Sequence, residues 1–332
     1  MKSFAIILVC LCFSMQAHCA VDHTRADGYR HGARIRERLC VVDQDGRPVA
    51  NASLYIGMSK GSGRDDCSTI NGTTDTNGEF VVEGRCTNFL RCQVSKRDYY
   101  TTEFRLSYLE TKAIPAMKDG KWQPYDTQRR IVLKKIVAPS EMSLHNALTT
   151  VRIPKYDAWL AFDFERYDFV APFGNGSHED VLLWFDMRKP SPSEFHMMMR
   201  VSFTNQVYAG VYKMKKDSFS EMDTTYRADT NQCYKQEMVF EYRRGKCMPP
   251  VYDRLQKDEY LVFRTRTVVA ENGKLISAHY GLICGEWNFV GPIGLRTERL
   301  LFNPRENDTN LEDGNLASYS RMCFKQREEL AK

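Results

Sequence analysis

Along most of the chain apolar side chains alternate singly with polar ones. That period-two pattern puts one face of a strand in a core and the other in water. Leu54, Ile56 and Met58 alternate with polar or small neighbours, and Thr74 to Glu79, with Asn77-Gly78 as its turn, feeds Phe80-Val81-Val82. Arg91 to Lys96, Tyr99 to Tyr108 and Arg130 to Ile136 are further strand candidates. Farther on, Phe195, Met197, Met199, Val201 and Phe203 alternate with His196, Met198, Arg200, Ser202 and Thr204. Leu261, Phe263, Thr265 and Thr267 alternate in the same way with Val262, Arg264 and Arg266. Val181 to Phe185 is apolar on both faces, as a central buried strand would be. Asn272-Gly273 between two such runs predicts a hairpin into Leu275 to Cys284. No long amphipathic helix competes, and Arg321 to Leu330 predicts only a short terminal helix.

The fold class that follows is all-β, built as two β-sandwich domains. A length of 332 residues suits two domains, and Ala138-Pro139-Ser140 marks their junction. The expected organisation is a signal peptide at 1–20, a polar leader at 21–37, a first sandwich at 38–137 and a second β-rich sandwich, jelly-roll-like or related, at 138–332.

Lys2 followed by the apolar run Phe4 to Phe13, and then by Ala17-His18-Cys19-Ala20, is the layout of a secretory signal. The run is too short to span a bilayer, and no other run is long enough. Gln16 and His18 stand where a bacterial lipoprotein signal carries Leu and a small residue, which argues against a lipid anchor on Cys19. The expectation is therefore an exported protein: secreted, periplasmic or at the cell surface, without a membrane span.

Cysteine usage fits export. Of eleven cysteines, Cys10, Cys12 and Cys19 lie in the leader, and eight remain: Cys40, Cys67, Cys86, Cys92, Cys233, Cys247, Cys284 and Cys323. An even count in an exported chain predicts disulfides. The expected scheme keeps bridges within each domain, with Cys233 to Cys247 as a short loop and Cys284 to Cys323 as a longer one. No close cysteine pairs or His ligands stand at zinc spacing, and no cofactor fingerprint is present.

Charge excludes one class of partner. The net charge of +5 comes from 47 basic and 42 acidic residues of mixed sign. Arg25, Arg30, Arg34, Arg36 and Arg38 form the one basic concentration, interrupted by Asp22, Asp27 and Glu37. It reads as a solvated leader, and nucleic-acid binding is not expected.

The first domain carries a resemblance. Val41 to Ala52 follows the pattern V-x-D-x-x-G-x-P-V-x-x-A, with a turn at Asp45-Gly46. Thr74 to Phe80 follows T-D-x-x-G-x-F, and Val94 to Tyr99 follows V-x-K-x-G-Y. Together these resemble the carboxypeptidase regulatory-like domain, which implies a small transthyretin-like β-sandwich that carries no catalysis itself. Asp98 stands where that pattern has Gly, and Asp enters the left-handed region at modest cost. The peptidase of that name would need an H-x-x-E zinc pair, and none of the seven histidines has Glu three residues later. The segment order beyond, carried by Phe169 to Gly176 and Phe302 to Asp308, resembles a class of exported bacterial proteins that follow such a module. It implies no activity.

Four groups of side chains invite a site. Asp163, Glu165, Asp168 and Asp186 are the carboxylates that suggest glycoside hydrolysis. Residues 163 and 165 on one strand face would stand roughly 7 Å apart, within the span of about 5–9.5 Å that such enzymes use. His178-Glu179-Asp180 offers oxygen and nitrogen donors to a cation, although turn chemistry accounts for it equally well. His145, His196 and His279 read as strand-face polar residues. Trp159, Trp184 and Trp287 fit either a sugar-stacking platform or, as is usual for Trp, a core. Asn51, Asn71, Asn175 and Asn307 head N-x-S/T sequons, acceptors only in a eukaryotic secretory pathway.

The function these features favour is an exported, non-catalytic binding protein recognising a glycan or a cell-surface polymer. Its rivals are a structural envelope or matrix component that binds other proteins, and a polysaccharide-active hydrolase working through Asp163.

Overall fold

The computed structural model describes residues 26–61, 67–113, 116–146, 148–191, 194–245, 251–253, 255–289 and 294–330. The expected signal peptide and Cys247 lie outside them. The chain is all-β, in two compact units. Unit 1 is Met1–Ile136 with Ser218–Met222 and Ser318–Lys332, and unit 2 is Val137–Asp217 with Asp223–Ala317. The two later segments of unit 1 lie in the stretch that the sequence pattern assigns to the second domain. No described helix is long and apolar enough to cross a membrane.

In unit 1 a short helix α1 at 26–31 precedes nine strands. They are β1 (Ala33–Asp43), β2 (Ser53–Ser59), β3 (Cys67–Thr73), β4 (Glu79–Cys86), β5 (Phe89–Ser95), β6 (Thr102–Ser107), β7 (Met117–Lys118), β8 (Lys121–Trp122) and β9 (Thr127–Leu133). One sheet has the order β4-β1-β8-β7, with β9 also parallel on β1, and the other has the order β3-β2-β5-β6. Leu39, Val41, Val82 and Ile131 from the first sheet meet Leu54, Ile56, Leu90 and Val94 from the second in one buried core. Two sheets closed over a shared core form a sandwich, and each such side chain withdrawn from water contributes about 1.5–3 kcal/mol.

The expected leader is shorter than its charge suggested. Strand β1 starts at Ala33, and Ala33, Ile35, Glu37 and Leu39 face inward while Arg34, Arg36 and Arg38 alternate with them. Glu37 hides the pattern, because it is a charged residue on the buried face. Its carboxylate accepts hydrogen bonds from Tyr108 Oη at 3.0 Å, from Arg129 Nε at 2.9 Å and from the Thr127 hydroxyl. A buried charge so paired and bonded is tolerated.

The turns behave as their residues require. Gly78 has φ +74°, and a Cβ there would stand 2.4 Å from the Val41 carbonyl oxygen, so only glycine fits. Asp98 has φ +64°, the left-handed conformation that the glycine of the pattern would take.

Unit 2 holds β10 (Ser143–Asn146), β11 (Thr150–Val151), β12 (Trp159–Asp163), β13 (Asp168–Phe169), β14 (Val181–Ser191), β15 (Glu194–Ser202), β16 (Gly210–Lys215), β17 (Glu237–Arg244), β18 (Val251–Asp253), β19 (Glu259–Val269), β20 (Leu275–Phe289) and β21 (Leu295–Phe302). One sheet runs β13-β12-β14-β15-β17-β18, and the other runs β10-β21-β20-β19-β16 with β11 also on β21. Leu160, Phe162, Leu183 and Phe185 of the first sheet pack with Phe263, Ile283, Trp287 and Phe302 of the second. The hairpin predicted at Asn272-Gly273 joins β19 to β20, with Gly273 at φ +81° and the Lys274 N–H donating to Asn272 Oδ1 at 3.1 Å.

The terminal helix α2 (Gly314–Leu330) is longer than predicted. Asp313 caps it, accepting the Asn315 N–H at 3.1 Å. Gly314 and Asn315 are poor helix formers, so the first turn gives no signal of its own.

Candidate functional site

Strand β12 ends at Asp163, and the chain then loops back toward β14. The expected carboxylate group does not form as one. Glu165 lies in the turn beyond β12, so it does not share a strand face with Asp163. Asp186 belongs to β14, where Arg188 Nε pairs with it at 3.0 Å. Asp168 accepts from the Phe169 N–H at 2.8 Å, the Asn175 N–H at 2.9 Å and Asn175 Nδ2 at 3.2 Å, which shapes the following turn.

Asp163 is fully buried, and both its oxygens are occupied. One accepts the N–H groups of Glu165 at 2.9 Å and Arg166 at 3.1 Å together with Arg266 Nη2 at 3.2 Å. The other accepts the Ser177 N–H at 2.9 Å, Ser177 Oγ at 3.3 Å and the His178 N–H at 3.1 Å. Asp180, from the loop motif, completes the group. It takes two parallel bonds from Arg266, Nε to Oδ1 at 2.9 Å and Nη2 to Oδ2 at 3.1 Å, and it also accepts the Phe164 N–H at 2.8 Å. Arg266 Nη1 reaches Glu165 Oε2 at 2.6 Å, and its guanidinium lies 4.4 Å from the centre of the Phe302 ring.

Arg266 is the hub that period-two reading misses. The β19–β20 register shifts between Thr265 and Val268, and Arg266 adopts φ +50°, so a bulge turns its side chain into the unit. Burial alone would raise the Asp163 carboxyl. The N–H groups of Ser177, Arg166 and His178 and the Arg266 charge reverse that and hold it below the ordinary carboxylate value. For Asp180 burial wins over Arg266, and its carboxyl is pushed up. This network ties β12 to β19 across the sandwich and fixes the 163–180 loop. Asp163 is fully buried and Glu165 lies in the turn beyond it, so the two carboxylates do not share the strand face that the rival hydrolase reading gave them.

The histidines are individually explained. His178 Nδ1 lies 3.6 Å from Asp163, and His196 bonds Glu241 at 2.8 Å. His145 meets the Glu165 carbonyl at 2.9 Å, and His279 meets the Asn303 carbonyl at 3.3 Å. Among the described residues no group of three His, Cys, Asp or Glu side chains is arranged to hold a metal.

Nor are the expected disulfides formed among the described cysteines. Cys40 Sγ accepts from Gln128 Nε2 at 3.0 Å, and Cys284 Sγ accepts from Arg299 Nη2 at 3.1 Å. Cys284 lies in unit 2 and Cys323 in unit 1, so the longer predicted loop would not be closed within one unit. Burial, with the Glu37 charge second, pushes the Cys86 thiol up to about 12.

The tryptophans divide. Trp287 is fully buried, as is Trp122, whose Nε1 donates to the Cys86 carbonyl at 2.9 Å. Trp159 departs from the core expectation, with 50% of its surface exposed. The strand register sets Trp159 on β12 beside Trp184 on β14, then Arg200 on β15, then Val239 on β17. The Arg200 guanidinium lies 5.0 Å from the Trp184 ring centre, and Val239 is 49% exposed. His196 and Glu241 stand on the same face, four positions from Arg200 along β15 and two positions from Val239 along β17. The side opposite the core thus carries a strip of two indoles, a guanidinium and an imidazole hydrogen-bonded to Glu241. Its alternation was visible in sequence; which strands lie next to each other was not.

No family model and no curated protein matches the sequence. Similar solved structures include 3-chlorocatechol 1,2-dioxygenase from Rhodococcus opacus 1CP, 15% identical over 32% of this chain and 61% of that one, with a TM-score of 0.26. Catechol 1,2-dioxygenase from Acinetobacter radioresistens is 14% identical over 33% and 55%, with a TM-score of 0.24. Hydroxyquinol 1,2-dioxygenase from Pseudomonas putida DLL-E4 is 12% identical over 31% and 57%, with a TM-score of 0.23. This chain thus spans less than two thirds of each of those proteins. All three are enzymes, and the expectation of a protein without catalysis is accordingly withdrawn. At TM-scores this low the likeness transfers no reaction and no site.

Proposed function

We propose that the protein is exported and recognises a glycan or another surface polymer through the Trp159–Trp184 face of unit 2, with a regulatory-like module as unit 1. One observation carries this: a half-exposed indole set beside a second indole on a six-stranded sheet. Trp has a large apolar face and a polar N–H, and exposing it forfeits the burial that normally holds it in a core. The apolar face of a sugar ring recovers that loss by stacking, while Arg200 and the His196–Glu241 pair supply hydrogen bonds to hydroxyls. A row of side chains running across four strands suits an extended polymer better than a small enclosed molecule. Acrylamide quenching of tryptophan fluorescence tests the reading with a panel of soluble plant, fungal and bacterial polysaccharides. A recognised polymer shields the accessible Trp159 fraction in a saturable way. If no polymer on the panel shields it, the reading fails.

A further inference from the structure

On the outward face of the β3-β2-β5-β6 sheet of unit 1, a cleft of about 810 Å³ opens among Tyr55, Gly57, Phe89, Arg91, Glu103 and Arg105. The register aligns one row across all four strands: Thr69 beside Gly57, Gly57 beside Arg91, and Arg91 beside Arg105. Gly57 is the gap in that row, since a Cβ built there meets nothing within 4 Å. A glycine inside a strand weakens it and marks places where a ligand or another backbone comes close. Among the described residues no backbone comes within 4 Å of that added carbon, which leaves room for a ligand. The volume falls in the usual range for a small-molecule or short-oligomer site, about 300–1,000 Å³.

The walls give the ligand a charge and a shape. Arg91 and Glu103 form an ion pair across β5 and β6. Arg105 has no carboxylate partner among the described residues, and its guanidinium lies 4.0 Å from the centre of the Phe89 ring. A guanidinium packed over a ring retains N–H donors that can grip a carboxylate with two parallel bonds. Tyr55, 42% exposed, stands two positions from Gly57 on the same face of β2 and adds an aromatic surface. Among the described lining residues two arginines stand against one glutamate.

We infer that this cleft binds a carboxylate-bearing sugar, its ring over Gly57 and its carboxylate on Arg105. The site lies on the other unit from the Trp159 face and does not depend on it. Calorimetric titration of the full-length protein with trigalacturonate, and with its methyl ester, tests the inference. The acid should bind saturably and the ester at least tenfold more weakly. Gly57→Val fills open space with a residue that suits a strand, so it should keep the wild-type melting temperature yet weaken trigalacturonate binding at least tenfold. Arg105→Gln should do the same. Absence of saturable binding, equal affinity for acid and ester, or a Gly57→Val variant that binds like wild type would each overturn it.

Discussion

Trp159 lies directly opposite Trp184 across the β12–β14 pair, and half of its surface is open to solvent. If its role is recognition, Trp159→Ala should leave the unfolding midpoint nearly unchanged, within about 0.5 kcal/mol. Trp287→Ala, which empties a core position, should cost about 3–5 kcal/mol. Urea titration of the two variants separates a binding tryptophan from a structural one.

Arg266 faces two buried carboxylates and a third that is partly exposed. Arg266→Met should destabilise the protein by about 3–5 kcal/mol, because it leaves Asp163 and Asp180 buried without their cation. Chemical denaturation measures this directly. A loss below about 1 kcal/mol would show the network to be dispensable.

The two aspartates of that network give opposite pH responses. Asp163 sits lower in the folded protein than its unfolded value of about 3.9. Its contribution is therefore complete above that unfolded value and is lost as pH falls through the folded one. Asp180 is raised, so its contribution is present at low pH and erodes as pH rises through its folded value. In urea unfolding between pH 3 and 7, Asp163→Asn should lose less stability on acidification than wild type. Asp180→Asn should lose less on the way from pH 4 to 7.

Glu37 anchors β1 from its buried face, bonded by Tyr108, Thr127 and Arg129. Glu37→Ala strands the Tyr108 hydroxyl and the Arg129 charge and should cost about 2–3 kcal/mol. A thermal melt of the variant checks it. The position also shows why the start of β1 was illegible. Alternation is read from hydrophobicity, and a buried glutamate reverses the sign of one inward position. By contrast, Leu54-Ile56-Met58 and the Asn272-Gly273 hairpin were legible, because side-chain type and backbone demand agree there. The Arg266 hub was hidden for another reason. It unites residues more than eighty positions apart, and a bulge that no local pattern announces aims the arginine inward. The Trp159 row depends likewise on which strands become neighbours.

Thiol accessibility separates the cysteines. Cys233 is exposed, whereas Cys86 is buried with its thiol pushed up to about 12. The thiolate is the reactive form, so brief iodoacetamide treatment of the native protein should label Cys233 and spare Cys86. Peptide mapping by mass spectrometry reads the order. Equal labelling would contradict the burial of Cys86.

The account stands most directly on polymer binding by the Trp159 face. Full-length protein and its Trp159→Ala variant, matched in melting temperature, should be titrated side by side against immobilised polysaccharides. The account predicts saturable binding of wild type to at least one polymer, weakened about tenfold or more in the variant, a change of roughly 1.4 kcal/mol. Equal binding by the two proteins, or none by either, would contradict it.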